Sequence, residues 1–167
     1  MDEKNLVTLA AGGDKNAFAA LYTRYRDDLY RYAYFRLGNA EDARDAVSAC
    51  IVSAYEGVYA LRAAGAFRAW IFRILYYSCV KLIAEQNERR NRAEISELDR
   101  VEATDNRLSP ELQEALEALP QEDRDIVLLS VIAGYNSREI ASMTGFKPAT
   151  VRSRLSRALA KMKAFLE

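Results

Sequence analysis

The chain has 167 residues, enough for one domain or two small ones, with 24 basic side chains, 24 acidic ones and no histidine. Without histidine, neither a Ser-His triad nor a histidine-based metal site can be assembled; Cys50 and Cys79, far apart in apolar surroundings, read as core residues rather than a disulfide or metal pair. No apolar run reaches the roughly eighteen residues that span a membrane, and Met1-Asp2-Glu3-Lys4 lacks a secretory apolar segment, so no membrane insertion and a cytoplasmic location are expected.

In chain order the pattern is helical almost throughout. Asp14 can cap a helix from Lys15 to Leu37, carrying Phe18, Leu21, Tyr22, Tyr25, Leu29, Tyr32 and Ala33 at helical spacing, and Gly38 ends it. Asn39 can cap the next, which runs to about Ala60 through Ala43, Val47, Cys50, Ile51, Ala54 and Val58. Leu61 to Ala66, with Gly65 in it, reads as a loop. A third long helix starts at Phe67, carries Trp70, Ile71, Ile74, Leu75, Val80 and Leu82, and ends in the charged cluster Glu85 to Arg92.

Past Asn91 the apolar density falls, and residues 93–108 read as an acidic linker between domains at 1–92 and 109–167. Ser109-Pro110 restarts helix in the cap-plus-proline manner, with Leu112, Leu116 and Leu119 as its apolar edge. Pro120 breaks the run. Ile126, Val127, Leu128, Val131 and Ile132 mark a further helix that Gly134 closes. No strand alternation appears over a useful length, so the fold class expected is all-α: two small helical domains joined by an acidic linker.

The last thirty residues carry the sharpest signal. Asn136 with Glu139 forms a capping box, and Ala141, Gly145 and Val151 stand where a helix-turn-helix needs a small crossing residue, a turn glycine and a β-branched anchor. Pro148 suits the first position of the second helix. That helix offers Arg152, Ser153, Ser156 and Arg157 on one face, opposite Val151, Leu155, Ala158 and Met162. Arginines and hydroxyls opposite a packed stripe suit entry into a DNA major groove, with Lys147, Lys161 and Lys163 as phosphate contacts. Arg154 falls closer to the packed side. Charge follows the same division: residues 145–167 hold six basic side chains and one acid, whereas residues 93–125 hold eleven acids and three arginines. The bland alternative is a helical hairpin with a solvated cationic face.

Residues from both halves resemble a bacterial RNA polymerase sigma factor of the small, two-domain extracytoplasmic-function group. In the N-terminal half the resemblance rests on Asp14-Lys15-Asn16-Ala17-Phe18, Leu21-Tyr22, Tyr25, Leu29-Tyr30, Asn39-Ala40-Glu41-Asp42-Ala43, Ala66-Phe67-Arg68-Ala69-Trp70-Ile71 and Arg73-Ile74. In the C-terminal half it rests on Leu116 to Pro120, Gly134-Tyr135-Asn136, Glu139-Ile140-Ala141, Gly145 and Thr150-Val151-Arg152-Ser153-Arg154-Leu155. It implies a protein that is not an enzyme, needs no cofactor or metal, and directs promoter-specific initiation by core RNA polymerase.

By that resemblance the N-terminal domain binds the polymerase clamp helices and opens the minus-ten element, and the C-terminal domain reads the minus-thirty-five element. Polymerase contact then falls on Val47, Ser48, Ile51, Val52 and Tyr55. The melted strand falls on Arg62, Phe67, Arg68, Trp70 and Arg73, with the loop at 61–66 receiving a flipped base. The spacing of Trp70 with Ile71 and Ile74 favours core over base contact. Lys147, Thr150, Arg152, Ser153, Ser156, Arg157 and Lys161 fall to duplex DNA. An anti-sigma protein is a partner of many members of the group.

The chain departs from the group at Ser48, Ala49 and Ser53, which stand where charged residues usually face polymerase, and at Tyr76, Tyr77 and Lys81. The alternative function is a helix-turn-helix regulator that binds duplex DNA without core polymerase, which accounts for the C-terminal half alone.

Overall fold

The computed structural model describes residues 2–92 and 109–167. The chain divides into two compact units, one within residues 1–104 and one within 105–167. Among the described residues every regular element is helical. The segment read as an acidic linker, 93–108, lies outside the described residues.

The N-terminal unit contains α1 (Glu3–Ala11), α2 (Lys15–Leu37), α3 (Ala40–Gly57) and α4 (Phe67–Arg92). Each of the first three begins on a capping side chain: Asp2 accepts from the Asn5 N–H, Asp14 from Ala17 and Asn39 from Asp42. The last turn of α3 tightens into a 3-10 turn, Val58–Ala60, so the helix ends before the expected Ala60; a second such turn, Ala64–Ala66, occupies the end of the expected loop.

Contacts fix the helix directions. Arg68 of α4 meets Asp28 of α2, and Phe72 meets Tyr32, so these two helices run parallel. Gln86 donates to Asp42 at 2.7 Å, while Gly57 lies against Trp70, so α3 runs antiparallel to α4. Small buried residues on α3 (Ala43, Ala46, Cys50, Ala54) let the larger Leu21, Leu29, Tyr32, Ile71, Phe72 and Leu75 fill the centre. Burial pushes the Cys50 thiol up to about 12, so it stays protonated at neutral pH.

Helix α1 has no counterpart in the sequence reading. At nine residues it is too short to be stable alone in water. Its stability comes from burying Leu6, Val7 and Ala10 against α2 and the two 3-10 turns. The Tyr25 hydroxyl donates to the Glu3 carboxylate and ties α1 to α2. The Tyr25 ring lies 5.4 Å from Phe67 and 5.7 Å from the Arg68 guanidinium.

Burial, with the Glu3 carboxylate behind it, raises the Tyr25 phenol from 10.0 to about 12. The folded chain therefore holds a neutral phenol where the unfolded chain ionises. This contribution is complete below pH 10 and falls away as pH rises from about 10 towards 12. Cys50 adds to the same loss, starting about one pH unit lower. Thermal unfolding followed between pH 9 and 12 should show a shallower alkaline decline for Tyr25→Phe than for the parent. Identical declines would contradict the burial of an un-ionised Tyr25.

The C-terminal unit contains α5 (Pro110–Glu117), α6 (Gln121–Val131), α7 (Ser137–Thr144) and α8 (Pro148–Leu166). Ser109 caps α5, and the Arg124 guanidinium closes its other end by donating to the carbonyls of Leu116, Glu117 and Leu119 at 3.0, 3.3 and 3.4 Å. Leu116, Ile126, Leu128, Leu129, Ile140, Val151 and Ala158 form the core. The capping box of α7 forms as expected: the Glu139 N–H donates to Asn136 Oδ1 at 2.9 Å, and the Asn136 N–H to Glu139 Oε1 at 3.0 Å. Gly145 then turns the chain at φ +83°, where an L side chain is strained, and Pro148 opens α8.

Candidate nucleic-acid and polymerase surfaces

The two surfaces are described separately, one on each unit. On the C-terminal unit, burying Val151, Ala158 and Met162 turns the opposite side of α8 outward. Arg152, Ser153, Ser156, Arg157 and Lys161 are all exposed, as is Lys147 ahead of the helix, and Thr150 is half-buried. The Arg157 side chain folds along its own helix, its Nε donating to the Ser153 carbonyl at 3.3 Å. No side chain caps the first turn of α8, so its main-chain N–H groups remain available to an anion such as a DNA phosphate.

Arg154 does something different from its neighbours. Its Nη1 lies 3.1 Å from Asp123 and 3.4 Å from Glu122, and its guanidinium stands 4.6 Å from the centre of the Phe146 ring. One side chain thus joins α8 to the start of α6 and to the residue after the helix-turn-helix turn. Partly exposed pairs of this kind are worth about 1 kcal/mol. Arg154→Ala should lower the stability of this unit by that amount and weaken specific and random duplex together. Selective loss of the specific duplex at unchanged stability would instead make Arg154 a base contact.

On the N-terminal unit the predicted residues separate. Ser48, Val52 and Tyr55 of α3 are exposed, Val52 at 58% and Tyr55 at 47%, and Ile51 is half-buried. The Tyr55 ring leans edge-on against Phe18 at 5.2 Å, which fixes its orientation while leaving one side open. Val47 is buried among the helices. It is a packing residue beneath this face rather than part of it.

At the start of α4, Arg62 and Arg73 are exposed and Trp70 is half-buried against Gly57 and Phe67. Phe67 is fully buried, its ring between Tyr25 and Trp70, and no base reaches it in this conformation. It is a packing residue of the core. Arg68 is half-buried, paired with Asp28 at 3.4 Å and lying 4.9 Å from the centre of the Phe72 ring, so its guanidinium is held within the unit. Sequence reading missed two residues beside the loop, Lys4 and Tyr59, both exposed. Lys4 lies on the helix it did not register.

Known proteins match both units. Residues 21–89 match the family described as Sigma-70 region 2, and residues 109–162 match Sigma-70, region 4. The chain is 30% identical to the ECF RNA polymerase sigma factor SigM of Mycobacterium tuberculosis, over 99% of this chain and 86% of that one. The chain belongs to the extracytoplasmic-function sigma factors. These proteins bind core RNA polymerase and give it promoter specificity.

The ECF RNA polymerase sigma factor SigE of Mycolicibacterium smegmatis is 32% identical over 93% of this sigma factor, which spans 65% of that protein's length. Among solved structures, the sigma factor RpoE of Bartonella quintana, crystallised with the anti-sigma factor NepR, has the same fold. Its TM-score is 0.71 at 18% identity, over 89% of this chain and 96% of that one. No helix among the described residues is long and apolar enough to cross a membrane. The region 2 match takes in α3, the loop and most of α4, and the region 4 match takes in the helix-turn-helix.

Proposed function

We propose that this sigma factor divides its task between the two units, residues 1–92 serving core polymerase and the minus-ten element and residues 109–167 the minus-thirty-five duplex. One observation carries the reading. Arg152, Ser153, Ser156 and Arg157 are exposed together on α8, while Arg154, in the middle of the same run, is tied back to Asp123. A helix that merely solvates its cations has no reason to sort them this way. Arg152 takes a base edge, with Ser153, Ser156 and Arg157 beside it; Lys147, Thr150 and Lys161 take backbone. The match of the N-terminal unit to region 2 disfavours a helix-turn-helix regulator working without polymerase.

Polymerase meets α3 through Ser48, Ile51, Val52 and Tyr55, and the melted strand meets the loop through Arg62, Trp70 and Arg73. Ser48, Ala49 and Ser53 replace charges that would steer the encounter, which slows association and reduces its sensitivity to salt. Tyr55, an amphipathic aromatic with one open side, is the anchor. The factor works in the cytoplasm, without cofactor or catalysis of its own. The anti-sigma partner of RpoE supports a comparable inhibitor here.

Core binding tests the reading. Tyr55→Ala should weaken core affinity by about 2 kcal/mol, and Ser48→Arg should change the association rate, with circular dichroism checking that each stays folded. Parent-like binding by both variants would remove α3 as the contact surface.

A further inference from the structure

The loop between α3 and α4 is flanked by two side chains to which no role has been given. Tyr59, in the 3-10 turn just before it, is 75% exposed, more than either Val52 or Tyr55. That turn is closed by the Leu61 N–H donating to the Val58 carbonyl at 3.0 Å, so the ring stands on a fixed base. From the other side, α1 packs against both 3-10 turns. Lys4 runs along the loop, its Cε 3.7 Å from the position that a Cβ on Gly65 would take.

The loop itself, Leu61 to Ala66, contains Arg62 and no acid. Among the described residues the main-chain N–H groups of Arg62, Ala63, Ala64 and Gly65 make no hydrogen bond. Two nearby acids are engaged, Glu3 accepting from Tyr25 and Asp28 paired with Arg68, while Glu56, three residues before Tyr59, is exposed. An exposed aromatic ring, two cations and a row of open donors match the parts of a single-stranded nucleic acid, namely base faces, phosphates and base-edge acceptors.

We propose that Tyr59 and Lys4 extend the melted-strand site beyond the loop: Tyr59 stacks a base neighbouring the one the loop receives, and the Lys4 ammonium takes an adjoining phosphate. This rests on the reading that the loop holds the melted strand. Val52, Tyr55 and Tyr59 lie on successive turns, and polymerase is the competing occupant for Tyr59. The loop that follows Tyr59, with Arg62, the open donors and Lys4 lying against Gly65, favours DNA.

The test uses the full chain assembled with core polymerase. The probe is a fluorescent pool of random single-stranded 12-mers, with core alone as the baseline and a 20-bp duplex and core affinity as parallel readouts. Tyr59→Ala should weaken the single strand about tenfold and Tyr59→Phe should restore it, because the stacking needs the ring and not the hydroxyl. Lys4→Gln should lower the slope of log affinity against log salt by about 0.7, with Lys4→Arg like the parent. Duplex and core affinities should not move, and melting curves will show that each variant is folded. Parent-like single-strand binding by Tyr59→Ala and Lys4→Gln would overturn the proposal. Loss of core affinity in Tyr59→Ala, with single-strand binding per complex unchanged, would assign that ring to polymerase and overturn it as well. Failure of the parent assembly to bind the pool above core alone would overturn the reading of the loop itself, an outcome distinct from the other two.

Discussion

Replacing Phe72 with alanine should destabilise the N-terminal unit by about 3–5 kcal/mol, a large share of the stability of a domain of this size. The ring is fully buried, packs edge-on against Tyr32 at 6.1 Å, and lies beneath the Arg68 guanidinium, so its loss leaves a cavity where α2 and α4 run side by side. Because the chain consists of two compact units, the effect should be confined to one of them. Calorimetry should show one transition moving down steeply while the other stays within about a degree. Core binding should fail with the first, and duplex binding by α8 should survive. A single transition that shifts as a whole would mean the units do not unfold independently.

Arg152→Ala should cost about 1–3 kcal/mol of affinity for a promoter duplex and relax preference at one base pair. The side chain is exposed on the outer face of α8, while the helix is held from behind by Val151, Ala158 and Met162 and braced by Arg154. Removal therefore deletes a contact without moving the helix. Titrating the variant against specific and random duplexes separates the roles. Selective loss on the specific duplex is the expected result, and equal loss on both would reduce Arg152 to a phosphate contact.

The helix starts were legible because the residues that cap them are local: Asp14, Asn39, Ser109 and Asn136 act within three residues of themselves. The outward face of α8 was legible for the same reason, since helical spacing alone separates Arg152 and Ser156 from Val151 and Ala158. What escaped depends on distant neighbours. Helix α1 is held by packing and by a Tyr25–Glu3 contact across 22 residues, which no short window reveals. The resemblance assigns Phe67 and Val47 to contact surfaces, but rings and helices from elsewhere in the unit cover them. Arg68 read as a free cation because its partner Asp28 lies 40 residues earlier. Tyr59 escaped for the opposite reason: the helical stripe drew attention to Val58, and only the 3-10 turn reveals how far Tyr59 projects.

The division of labour between the units is tested most directly by run-off transcription from a promoter library, using core polymerase with the purified chain. The parent should confer initiation at a discrete set of start sites that core alone does not use. Arg152→Ala should reduce or shift that set while binding core normally, and Tyr55→Ala should require more protein to reach the same set of sites. Discrete initiation that is unaffected by Arg152→Ala, or the absence of any start site above core alone, would contradict the account.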